Sequence, residues 1–164
     1  MFGFGRQNAA EDAAKAAAIE RAKQTVRDMV HGMHGASPDE AERLGQRIKE
    51  FCAGDKLLPL EFKQKAYQKA RELERFANMR MADKMLHDAS RMAAAENMKE
   101  RGVKLGDARR YFGKACALGA DPDWRKAFQR GSETVMLTGG VQPKGPTRAK
   151  PRDIAPRAPN RAKA

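Results

Sequence analysis

A chain of 164 residues carrying a net charge of +12 has room for one domain with extended ends and not for two full ones. Leu, Ile, Val and Phe make up roughly 15% of it, below the level of about 20% at which high charge begins to favour disorder. The 41% apolar content is therefore largely alanine, which predicts high helical content around a small core and excludes a well-filled globule. There is no apolar run of about 18 residues and no signal-peptide apolar region. With only Cys52 and Cys116, far apart, the chain is expected to be cytoplasmic with both thiols reduced and packed as small core residues.

The expected fold is all-α: an elongated bundle of about five helices, one of them long and central, ending in a disordered basic tail. Residues 1–8 are expected to form a flexible N-terminus, 9–140 the helical domain and 141–164 the Pro-rich tail.

Met1 to Gly5 sets two aromatics between glycines and reads as a frayed end. Ala9 to Val30 is expected to be helical, with Ile19, Ala22, Val26, Met29, Val30 and Met33 on its apolar face. His31-Gly-Met-His34-Gly should end it, since glycine breaks helices and histidine is favourable at a helix C-terminus. The two histidines lack the paired-cysteine spacing of a zinc site, so no metal and no cofactor are expected.

Ser37-Pro38-Asp39-Glu40 is the sharpest local signal: Ser37 as N-cap, Pro38 in the first turn and Glu40 completing a capping box. Ala41, Leu44, Ile48, Phe51 and Cys52 share one face of the helix that follows, which should stop at Gly54. Asp55 to Leu58 then connects to a run without Pro or Gly between Pro59 and Gly102, rich in residues that enter helices at little cost. One helix from Leu60 to about Arg101 is predicted, antiparallel to its predecessor. Its stripe is Phe62, Ala66, Ala70, Leu73, Ala77, Met81, Met85, Ala89 and Met92, thin and adaptable enough for a hairpin or for pairing with another protein or a second copy.

Beyond Gly102, Gly106 or Asp107 should open a short helix that Gly119 closes, and Asp121-Pro122 should start the last one. Ala115, Gly119 and Phe128 stand at spacings that resemble the small residue, turn glycine and second-helix apolar position of a DNA-binding helix-turn-helix. That resemblance implies that the helix from Trp124 to Arg130 faces a groove, although Arg125 stands where the motif has a buried aliphatic. Ala108, Phe112 and Ala115 also resemble one tetratricopeptide-type hairpin, with no second copy in the chain. Both resemblances are alternatives to the first expectation for this stretch, an ordinary packed helical hairpin.

Positive charge is concentrated here. Arg109, Arg110, Lys114, Arg125, Lys126 and Arg130 surround Tyr111 and Trp124, a combination suited to phosphates and stacked bases. In the tail, Lys144, Arg148, Lys150, Arg152, Arg157, Arg161 and Lys163 face only Asp153. No nucleophile elbow, phosphate-binding glycine loop or dinucleotide fingerprint is present. The expectation is a non-enzymatic accessory protein that binds DNA or RNA through this hairpin and tail. The alternative is a helical adaptor or assembly factor using the Ala/Met face.

Overall fold

The computed structural model of the chain describes residues 4–92 and 97–137. Its elements are α1 (Phe4–Gly32), α2 (Pro38–Gly54), α3 (Leu60–Arg91), α4 (Met98–Ala117) and α5 (Pro122–Leu137), and no strand occurs among the described residues. The predicted tail, with its seven basic residues, lies outside them.

Local chemistry sets most of the boundaries. Ser37 has extended backbone, and its Oγ accepts from the Glu40 amide at 3.3 Å while Pro38 occupies the first turn. Such a cap contributes about 1 kcal/mol. Asp55 ends α2, and its Oδ1 accepts from the amides of Leu57 at 2.7 Å and Leu58 at 3.0 Å, which shapes the turn into α3. At the end of α4, Gly119 takes φ +86, its amide donates to Cys116 O and that of Ala120 donates to Ala115 O, both at 3.0 Å. This paired closure is the Schellman arrangement, and it needs a residue at ease in the left-handed region.

Three boundaries differ from expectation. α1 begins at Phe4, ahead of Ala9. The long helix ends at Arg91, not near Arg101, and α4 starts at Met98 and continues through Gly102 and Gly106. Glycine inside a helix costs about 1 kcal/mol relative to alanine, and here the packing of α4 along α3 outweighs that cost.

α3, about 48 Å long at the helical rise of 1.5 Å per residue, is the spine against which every other helix packs. α2 runs antiparallel to it: Lys63 donates to Asp55 O, Glu74 lies beside Gly45, and Arg80 donates to Ala36 O at 3.2 Å. α4 is antiparallel as well, with Lys104 opposite Met85 and Gly119 O accepting from Arg75 at 3.0 Å. Two arginines of the spine thus hold the turns before α2 and after α4.

The apolar stripe is legible in the burial. Ala66, Ala70, Leu73, Ala77 and Ala89 are buried by the chain's own helices, as are Asn78, Ala82 and Ser90 beside them. Two clusters result. The first joins Val26, Met33, Ile48, Cys52, Leu58 and Leu73 with the alanines of α3's first half. The second joins Ala82, Ala108 and Phe128 with Trp124, Phe112 and Tyr111 around.

Candidate nucleic-acid interface

A concavity lined by four cationic side chains lies between α2 and α4, both carried by α3. It has a volume of about 670 Å³ and is lined by Arg43, Gln46 and Arg47 from α2, by Arg110 and Lys114 from α4, and by the acids Asp39 and Glu42. Arg43 and Arg47 are one helical turn apart, so both reach the same side of α2. Arg110 lies with its guanidinium carbon 5.9 Å from the Tyr111 ring centroid, within cation–π range.

The acids of this groove are largely committed. Glu42 accepts from Lys114 at 2.8 Å and Asp39 lies 4.0 Å from the same ammonium. The hydrogen bond from Lys114 holds the Glu42 carboxyl below the usual carboxylate range, and the same bond raises the Lys114 pKa. Arg43, Arg47 and Arg110 form no ion pair within 4.0 Å among the described residues. Three guanidiniums, each a planar fork of donors matched to phosphate oxygens, therefore face one groove without an ion pair, Arg110 being near enough to Glu42 to help hold its carboxyl down.

Beneath this wall Glu74 lies beside Gly45, its Oε2 3.7 Å from where a Cβ on that residue would stand. Burial pushes its carboxyl above the usual range, opposed first by Lys49, and Glu42 adds to the upward shift.

The remaining expected contacts are dispersed. Trp124 is half-buried, its ring 5.5 Å from that of Phe112 and 5.7 Å from that of Phe128, while Nε1 donates to both oxygens of Asp83 at 3.1 Å. Its ring packs, partly buried, against the second core. Burial raises the Asp83 carboxyl, and the indole bond opposes that rise. Arg109 turns to Met136 Sδ on α5. Lys126 faces Asp123 at 3.8 Å, Arg130 Nε donates to the carbonyl of Lys126 at 3.4 Å, and Arg125 is half-buried. Of the predicted set, only Arg110 and Lys114 line the groove. Lys144, Arg148, Lys150, Arg152, Arg157, Arg161 and Lys163 lie outside the described residues.

Arg43 and Arg47 were not anticipated. On α2 they alternate with Asp39, Glu40, Glu42 and Glu50 and read as an exposed mixed face. The one available signal is their spacing of four, on a face about 100° around the helix from that of Leu44 and Ile48.

Of the positions behind the helix-turn-helix resemblance, Ala115 is fully buried, Gly119 has positive φ and Phe128 is buried, as in any closely packed helical hairpin. The histidines His31 and His34 are both exposed, with ring centroids 6.0 Å apart. No cluster of three or more His, Cys, Asp or Glu suited to a metal ion occurs among the described residues. Cys52 is buried, which pushes its thiol pKa up, and Cys116 is half-buried. No described helix is long and apolar enough to cross a membrane. Comparison with protein-family models, with curated proteins and with solved structures gives no match to this chain.

Proposed function

We propose that the protein is a non-enzymatic nucleic-acid-associated accessory protein whose groove between α2 and α4 takes a phosphate backbone. The observation that carries this reading is the convergence of Arg43, Arg47 and Arg110, without ion pairs, on one concavity. Phosphate neutralisation releases condensed counterions and supplies affinity irrespective of base sequence. Lys114 sits beside these groups and is already engaged with Glu42, so it orders the wall of the groove as much as it attracts a polyanion. The seven basic residues of 141–164 add positive charge to the chain and raise the encounter rate with a polyanion. No aromatic ring is among the residues lining the groove, so the reading is one of backbone contact and little base discrimination.

Binding of a labelled single-stranded oligonucleotide and of a duplex, measured by fluorescence anisotropy over a series of salt concentrations, tests this. Replacing Arg43, Arg47 and Arg110 together by alanine should weaken binding by more than about tenfold and flatten the salt dependence by about two charges. Replacing Arg125, Lys126 and Arg130 should have the smaller effect. Unchanged affinity in the groove variant, with the tail also removed, would sink the proposal.

A further inference from the structure

The first part of α1 leaves the bundle. Residues 11–17 are all exposed, and from Glu11 onward the first buried side chain on this helix is Ala22. An alanine-rich helix with no packed face is marginal in water, so this arm lacks the cover that the other helices have.

The second part of α1 borders a groove against α3, of about 360 Å³. Its floor is apolar, made by Val26, Val30, Phe62 and Ala66, and its rim carries Arg27, Lys65 and Lys69. His31 and His34 continue the rim, and no acid lines it. Charge is divided along α1 in the same sense. Between 11 and 20, Glu11, Asp12 and Glu20 outnumber Lys15, whereas between 21 and 34, Arg21, Lys23 and Arg27 outnumber Asp28.

We propose that the groove is occupied by the α1 arm of a second copy of this chain, reciprocally across a two-fold axis. An antiparallel α1 pair crossing near Ala22 lays residues 11–18 of one copy along 26–33 of the other. Glu11 and Asp12 then come to the basic rim and Lys15 comes beside Asp28. Ala14 and Ala18, on the same helix face as Glu11 and Lys15, let the two helices approach closely, and the symmetry forms each contact twice. The rim cations now hold local partners, Arg27 with Glu20 at 3.9 Å, Lys65 with Glu61 at 2.7 Å and Lys69 with Glu72 at 3.0 Å. Exposed pairs of this kind are weak and exchange readily, so an incoming carboxylate can take either lysine. The arrangement is independent of nucleic-acid binding.

Analytical ultracentrifugation of the full chain at low salt, over a wide concentration range, should show a monomer–dimer equilibrium. Reversing the arm (Glu11→Lys with Asp12→Lys) should weaken self-association by at least about tenfold through like-charge contact, and reversing the rim (Lys65→Glu with Lys69→Glu) should do the same. Mixing the two variants should restore a dimer, because each arm then meets a rim of opposite charge. A wild-type chain that stays monomeric, a dimer indifferent to both reversals, or variants that fail to associate with each other would overturn the proposal. Should a variant lose its helical circular dichroism, zero-length carbodiimide cross-linking of the wild type decides. An intermolecular link from Glu11 or Asp12 to Lys65 or Lys69 supports the arrangement, and its absence refutes it.

Discussion

Around the first half of α3 the fully buried large side chains are aliphatic, with Phe51, Phe62 and Tyr67 partly buried around them. Val26, Met33 and Ile48 are at most 1% exposed, and they come from α1, α2 and the turn between them. Around its second half they are aromatic: Phe112 and Phe128 stack at 4.5 Å and Trp124 spans from them to Asp83 at the surface. The spine itself contributes mainly alanine to both clusters. A chain poor in large apolar residues can thus support two cores, because alanine on the shared helix lets each neighbour bring its own bulk close. The two differ in how tightly they close. The first excludes water from several aliphatic side chains, whereas the second has one large side chain that is fully buried, Phe128, and a ring of half-exposed aromatics around it.

The largest effects should come from emptying either core. Ile48→Ala and Phe128→Ala are each expected to cost about 3–5 kcal/mol by lost burial and residual cavity. Their footprints should differ in hydrogen exchange read by mass spectrometry. Ile48→Ala should raise exchange throughout the described helices, and Phe128→Ala should loosen α5 while α2 and the first half of α3 stay protected. Equal exposure of α2 by both would show that the clusters behave as one cooperative unit. A smaller loss, about 1–2 kcal/mol, should follow Gly119→Ala, since the left-handed conformation at φ +86 resists a Cβ although no neighbouring atom lies within 4 Å of one. Thermal melting measures it, and no loss would mean that the turn into α5 relaxes at little cost.

The smallest effect has the opposite sign. Burial raises the Glu74 carboxyl above its unfolded value of 4.5, so the native state holds that proton more firmly. The resulting penalty is complete above the folded pKa and absent below the unfolded one. Glu74→Gln should therefore raise Tm by about 2 °C at pH 7, and the advantage should vanish as pH falls through the carboxylate range. An advantage that persists at pH 4 would trace the effect to packing instead.

Where a boundary rests on local chemistry, the residues announce it. Ser37 with Pro38 starts α2, Gly54 ends it, and Gly119 with Asp121-Pro122 marks the last turn. The break after Arg91 gives no such notice, because Met92-Ala-Ala-Ala-Glu-Asn97 consists mainly of good helix formers while the helix that follows contains glycines. Tertiary packing along α3 decides that case against propensity. The groove was half legible for a similar reason. Arg110 and Lys114 stand in a locally basic stretch, whereas Arg43 and Arg47 sit among acids and become a site only when α3 brings α2 and α4 to face each other. Trp124 shows the reverse: its basic neighbours suggest a surface ring, and its spacing to Phe128 places it in the core.

Lys114 has one more role. α2 and α4 each pack on α3 and not on one another, so the ammonium reaching Glu42 and Asp39 acts as a clasp between two walls that share only a hinge line. Exposed charge contacts weaken as salt rises and Debye screening shortens their reach. The tie that Lys114 makes across the groove is consequently the part of its wall most sensitive to salt, while α3 holds both helices by packing.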